Sequence, residues 1–584
     1  MHSYDHKTDI VNVLIIGSGG AGLRSAIEAR EAGLKVSVLG KRVKIDSHTV
    51  LAAGGINAAF GNVDAEDSWE QHFADTYIEG YGLGDPILIE KMAKLAPEIV
   101  QEIDHWGANF AKLSNGSLDQ RFFGAHTYRR TCYSGDYTGK SILKALLQRA
   151  ENLKIPIHEN QYVTQLLVTN NTCFGAMTFN MDTLRRTVYL ADAIVLATGG
   201  HTRIWQKSSS RKHENTGDGL YLGLKAGCKL IDMEMVQFHP TGMTEPLESI
   251  GKLVTEAVRG EGGKLFNSNG ERFMHKYDPV RMELSTRDRI AIANYKEIKE
   301  GRGTKSGGVF LDISHKEKQF IIEKLPEVYK QFIELQMLDI SKNAMEVCPT
   351  AHYSMGGIAT KTIDHDTDVE GLFAAGEVAG GLHGANRLGG NSLSEILIFG
   401  KLAGEAAAKR SKNLREHPRC QEAIQNAHHE INSLIKNGSE IASNINNELR
   451  DIMWKRCGVI RDEEGLIEGL ESIKSIKSKA RNVEVIINNH SSHDLVNIFE
   501  LKSSIMSAEA SLISALARKE SRGSHQRNDF QSINSLYNLN YLISLDQGDR
   551  LQISSHKYPT ISEDLKKIIT TTQEVVDFKN KLIE

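Results

Sequence analysis

Three glycines near the N-terminus could do chemistry because of where they fall. Gly17, Gly19 and Gly22 follow the apolar run VNVLII (11–16) at once and precede LRSAIEAREAG, which has helical apolar spacing and stops at Gly33. In that strand–turn–helix setting, glycines let the backbone approach a pyrophosphate. The helix N-terminus adds free N–H groups and a positive dipole end. The other reading is a tight turn in some unrelated α/β protein.

The second strand, KVSVL, ends at Leu39-Gly40-Lys41-Arg42 and lacks the acidic residue that reads a ribose in NAD sites. Two features point to FAD instead. ATGG (197–200) and AAGE (374–377) are glycine-terminated strands able to bring backbone against a bound cofactor. GGNSLSEILIFG opens a helix at Asn391–Ser392, and Ser392-Leu-Ser-Glu395 fits a capping box. A helix start aimed at the cofactor would stabilise negative charge on a reduced flavin; ordinary capping is the alternative.

These residues must be positioned by a doubly wound sheet, so the expected class is α/β. A Rossmann-like FAD-binding domain (1–235 and 351–405) is interrupted by an α+β capping domain (236–350) that is rich in Gly, Arg and Glu. A C-terminal helical domain (406–530) and a tail (531–584) follow. Forty per cent hydrophobic and 25% charged residues fit a globular chain. A net charge of −4 gives no electrostatic reason to expect nucleic acid. The six cysteines form no C-x-x-C pair, which points away from disulfides, from an iron–sulfur cluster and from any metal site built by this chain alone. MHSYDHKTDI has no targeting signature, and no apolar run reaches the roughly 20 residues that span a bilayer. Any membrane association is expected through a partner.

SHTVLAAGGINAAFGN (47–62), NTGDG (215–219), QFHPTG (237–242), TEAVRGEGGKLFNSNGERFM (255–274), LSTRDR (284–289), CPTAHYSMGGI (348–358) and GLHGANRLGGNSL (381–393) occur in that order. In these blocks the chain resembles the flavoprotein subunit of succinate dehydrogenase and fumarate reductase, over roughly residues 10–405, with an echo at RKESRGSHQR (518–527).

The resemblance implies FAD bonded covalently to His48. It implies a cofactor site comprising Gly17, Gly19, Gly20, Gly22, Lys41, His48, Gly54, Gly55, Asp218, Glu377, Ser392 and Leu393. Arg387 would clamp a dicarboxylate, with His239, Thr255 and His352 adding hydrogen bonds; a guanidinium matches carboxylate geometry bidentately. Arg287 matches the proton-transfer residue, and Glu256 and Arg259 match a relay to solvent. Arginine is an unusual acid, since its free pKa is above about 12; Arg289 is the neighbour to consider were the register shifted. Outside these blocks each of these residues would read as a structural ion pair or a loop histidine.

There are departures. The family usually has Arg before SHT, where this chain has Asp46, and the F-G-G-Q/M block appears as Phe123-Gly-Ala-His126. The following YRRTCYSGDYTG is similar to L-aspartate oxidase, the rival reading. That enzyme carries a Glu where this chain has Phe123, and it lacks the tethering histidine; both differences favour succinate. A soluble fumarate reductase and a flavin-binding scaffold are further alternatives. The leading expectation is hydride transfer between succinate/fumarate and FAD. Electrons would pass to an iron–sulfur subunit, then on to a membrane anchor with quinone. That places the chain peripherally on the cytoplasmic side of the inner membrane.

Overall fold

The computed structural model describes residues 7–487 and 493–581. Residues 1–6, which begin the segment read for a targeting signal, lie outside them, as do the last three residues of the tail.

The first apolar run forms β1 (Val13–Ile16), with all four side chains buried. It lacks polar alternation because a parallel strand is covered on both faces. The glycine turn leads into α1 (Gly20–Glu31) and then β2 (Val36–Leu39). Gly33 adopts the left-handed φ of +87° just past the helix, which a glycine does at little steric cost. A Cβ on Gly22 would fall on the Gly17 carbonyl, so glycine there sets how closely α1 follows β1.

Along the chain come β3 (Ala193–Leu196), α2 (Asp218–Ala226), β4 (Val236–Met243), α3 (Arg287–Glu297), β5 (Met345–Ser354), β6 (Leu372–Ala374), α4 (Asn391–Asn413) and α5 (His493–Ala517). The central sheet runs in the order β6–β3–β1–β2 with Ile157–His158 at the edge, all parallel. The turns after β1, β3 and β6 therefore meet at the carboxyl edge, where open α/β sheets bind ligands. Helix α4 crosses α1 closely. Gly400 and Gly404, about one turn apart, admit the α1 backbone, and Ser25 Oγ donates to the Gly400 carbonyl at 2.7 Å.

Strands β4 and β5 leave this layer. They pair antiparallel with each other and continue into Val309–Asp312 and Lys264–Phe266. A separate core that includes Val254, Val258, Leu311 and Val347 supports this insertion. Behind it, Ala442–Arg456, Glu463–Ala480 and α5 bury a stripe such as Ile445, Leu449 and Met453, four residues apart. The architecture is thus the α/β class expected, with an α+β insertion and a helical domain. The end of the chain returns to the body: the hairpin Asn540–Leu545/Leu551–His556 pairs with Leu230–Ile231, whose other neighbour is Gly357–Ile358.

Helix α4 does not open on the expected capping box. Its N-cap is Gly390 (φ +90°), with no side-chain cap, so Ser392 already lies in the first turn. The Glu395 carboxylate is instead taken by the Tyr353 hydroxyl and by His383 Nε2 at 3.1 Å. Gly390 backs so closely onto Asn57 that a Cβ would collide with its amide. No helix among the described residues is long and apolar enough to cross a membrane.

Candidate active site

A cavity of about 1000 Å³ runs from the β1–α1 turn to a cleft beneath β4 and β5. That is the upper end of the roughly 300–1000 Å³ that small-molecule and cofactor sites occupy. At its sheet end Gly17, Gly19 and Gly20 line the wall, and the N-cap residue of α1, Gly19, has no side chain to cap the helix. The first-turn N–H groups are thus available to a phosphate, apart from Gly20 N–H, which donates to Thr49 Oγ1 at 3.0 Å. Gly54, Gly55, Glu377, Ser392 and Leu393 also line the cavity, so the α4 N-terminus does reach it. Gly22 does not line it; its part is the packing of α1 on β1.

Lys41, at the end of β2, is held by Asp218 at 2.7 Å and by Glu500 of α5 at 2.6 Å. Burial alone would lower its pKa, but the two carboxylates outweigh burial and raise it. Asp218, at the start of α2, also accepts from Tyr162 Oη at 3.1 Å. A carboxylate from α2 is thus brought to the end of β2, where it is ion-paired with Lys41. Close glycine backbone, an uncapped helix start and a carboxylate at the sheet edge fit an extended dinucleotide.

His48 lines the middle of the cavity, with Nδ1 3.3 Å from Glu214. Burial acts to lower its pKa, and the Glu214 hydrogen bond more than reverses this. Glu214 is gripped by Arg211 at 2.6 Å, and Arg211 also pairs with Asp46. The acidic departure before SHT is therefore absorbed in an ion-pair cluster around His48.

At the far end the residues expected to handle substrate converge. Arg287, first residue of α3, donates Nε–H to Glu256 at 2.7 Å. Glu256 is buried, which would raise its pKa, yet the charges of Arg287 and Arg259 hold it at about 2. Arg259 Nη2 stands 3.8 Å from Glu256, while Nη1 donates to the Glu283 carbonyl at 2.7 Å. Arg259 is buried behind the cavity wall. Arg289 points away: its side chain is 54% exposed and pairs with Asp278. Arg387 is buried over the Tyr353 ring, 4.3 Å from its centroid, and burial with the nearby Arg287 charge lowers its pKa to about 10.

His239 and His352 meet edge to face with ring centroids 5.2 Å apart, and Thr255 lines the same pocket. Burial first, then the arginine charges, push both histidines well below their ordinary pKa, so they are neutral. The Thr241 N–H donates to His239 Nδ1 at 3.2 Å, so the proton of the neutral ring lies on Nε2. This arrangement presents two guanidiniums and imidazole N–H groups to an anion.

A family profile described as FAD binding domain matches residues 12–393, and one described as Fumarate reductase flavoprotein C-term matches 446–573. The chain belongs to the succinate dehydrogenase and fumarate reductase flavoprotein family. It is 43% identical to a subunit of the fumarate reductase (CoM/CoB) of Methanothermobacter marburgensis, over 89% of this chain and 94% of that protein. It is 36% identical to the succinate dehydrogenase flavoprotein subunit of Rickettsia bellii, over 96% and 97%. Among solved structures it is similar to Mycobacterium smegmatis Sdh1 in complex with UQ1 (TM-score 0.87, 38% identity, 96% of each chain). It is also similar to Escherichia coli quinol fumarate reductase (TM-score 0.90, 32% identity, 95% of this chain and 98% of that one).

Within this flavoprotein fold, FAD is the cofactor that the cavity takes. Two features of the site escaped the sequence reading. Glu214 and Arg211 around His48 come from a loop with no periodicity to flag them. Gln237 stands between the two arginines; its signal was present in QFHPTG, where it is two residues from His239 on one strand.

Proposed function

We propose that this chain interconverts succinate and fumarate as the flavoprotein subunit of a larger complex. The observation that carries the reading is the meeting of Arg287 and Arg387 beside two neutral histidines, in the same cavity as the dinucleotide cradle. FAD supplies a two-electron hydride acceptor or donor.

The chain's own residues do the rest. Arg387, His239, His352 and Thr255 hold the two carboxylates and orient the carbon–carbon bond. Arg287 gives or takes the proton at the second carbon. Glu256 lies within hydrogen-bond distance of Arg287 and next to Arg259, an arrangement suited to restoring that proton from solvent. Phe123, buried against Gly54 and near Gly389, presents an apolar face where recognition of an amine would need a carboxylate. This supports succinate over aspartate. The functional units are 1–235 with 351–405 for the cofactor, 236–350 for the cap, 406–530 for the helical domain and 531–584 for the tail. Similarity to a flavoprotein subunit and to a quinol fumarate reductase supports a place in a larger, quinone-linked assembly; the proposed complex adds an iron–sulfur subunit and a membrane anchor, with a peripheral place on the cytoplasmic side of the inner membrane.

His48 is the proposed covalent attachment point. With Nδ1 engaged by Glu214, Nε2 is left to bond the flavin. Acid-precipitated holoprotein is expected to keep its yellow fluorescence through denaturing electrophoresis, and His48→Ser to lose it while still binding FAD. Release of all flavin from the unaltered protein into the acid supernatant would overturn the tether.

A further inference from the structure

We infer that Gln237 is the positioning residue that draws the two guanidiniums together and, by being neutral, leaves their charge free for a dicarboxylate. The inference deepens the proposed function and rests on its assignment of Arg287 and Arg387 to the substrate.

Gln237 lies on β4 with no exposed surface. Its side-chain oxygen accepts from Arg287 Nη1 at 3.2 Å and from Arg387 Nη2 at 2.9 Å. Its nitrogen donates to the Arg387 carbonyl at 2.9 Å and to Asn386 Oδ1 at 2.8 Å. The amide cannot be turned over. A backbone carbonyl only accepts, and a guanidinium only donates, so each end of the amide has one permitted direction. Asn386 is fixed in turn, because its own nitrogen donates to Glu79 Oε1 at 2.7 Å. The brace Glu79–Asn386–Gln237 thus aims one oxygen at two cations.

Two like charges so close in a buried site repel, and the pKa of Arg387 is lowered by burial and then by Arg287. A carboxylate at position 237 would remove that repulsion. It would also saturate the site from inside, as Glu256 does for Arg287 Nε. An amide oxygen supplies hydrogen bonds without a counter-charge, so the counter-charge has to arrive with the ligand. Glu256 binds Arg287 from its Nε side, leaving the Nη side to Gln237 and the cavity. By this account Gln237 sets the preference for doubly charged over singly charged acids.

The test compares Gln237→Glu, which keeps shape and adds charge, with Gln237→Met, which keeps size and removes the acceptor. Malonate and propionate, neither of which turns over, are titrated into the FAD-loaded protein and read by the flavin absorption change; kcat and KM for succinate are measured alongside. The unaltered protein should bind malonate far more tightly than propionate. Gln237→Glu should weaken malonate by about 100-fold or more while propionate changes little, with FAD content unchanged. Gln237→Met should raise KM and lower kcat together, by roughly tenfold each, because a near-attack geometry is lost. A Gln237→Glu protein that keeps the full malonate preference would overturn the inference and leave the dicarboxylate reading intact. A Gln237→Met protein with unaltered kcat and KM would overturn it too. An unaltered protein with no preference for malonate would sink the dicarboxylate reading and this inference with it.

Discussion

Arg287→Ala should retain FAD and lose turnover of succinate and fumarate, by about 10⁴-fold in kcat, the upper range for removal of a general acid. Arg287→Lys should fare little better, because the role depends on geometry as well as charge. The guanidinium reaches Glu256 through Nε and Gln237 through Nη1 at once. An ammonium on a flexible stem cannot span both. The substitution empties one side of Glu256, but Arg259 still stands 3.8 Å from it, so the fold should survive. Steady-state rates with an artificial electron acceptor, with flavin content measured on the same samples, decide the matter. Activity within tenfold of the unaltered enzyme would remove Arg287 from the chemistry.

Arg387→Ala is the second large effect, and its signature differs. Arg387 is buried and is assigned to a substrate carboxylate rather than to the proton. Deleting it leaves that carboxylate desolvated and unpaired, at a cost of about 2–5 kcal/mol, or roughly 30- to 4000-fold in binding. KM for succinate should therefore rise sharply, and kcat should fall as well because orientation is lost. Malonate inhibition should vanish in parallel. The two neutral histidines and Thr255 remain, so residual binding is expected. A kcat defect with unchanged KM and unchanged malonate inhibition would mean that Arg387 belongs to the proton path.

Much of the fold was legible because its signals are local. VNVLII followed by spaced glycines and an amphipathic run states a strand, a turn and a helix in consecutive residues, and β1, the turn and α1 are found there. The capping box was misread for an equally local reason. Ser392 and Glu395 have the right spacing, but spacing does not reveal that Gly390 packs on Asn57 and starts the helix first, nor that Tyr353 and His383 claim the glutamate. The tail offered little signal because its hairpin pairs with Leu230–Ile231, about 310 residues earlier in the chain.

The candidate site divides in the same way. Composition and spacing pointed to a cofactor cradle, and resemblance named the arginines, but neither could show which groups meet. Asp46 was visible only as a departure from the usual arginine. Its sense appears in three dimensions, where it pairs with Arg211, the residue that grips the Glu214 beside His48. Gln237 lies inside QFHPTG, yet nothing in sequence says that one amide oxygen receives two guanidiniums 50 and 150 residues away. The Lys41 site shows the opposite case. The absent acid at the end of β2 argues against the NAD pattern, in keeping with the FAD binding domain, while Asp218 of α2 meets Lys41 there from a distant part of the chain.

The central claim is that this flavoprotein oxidises a dicarboxylate at its saturated carbon–carbon bond. The direct measurement is an anaerobic titration of the FAD-loaded protein, followed by the visible flavin absorption. Succinate should bleach the flavin, excess fumarate should restore it, and L-aspartate should leave it oxidised. Bleaching by L-aspartate, with succinate inert, would contradict the account.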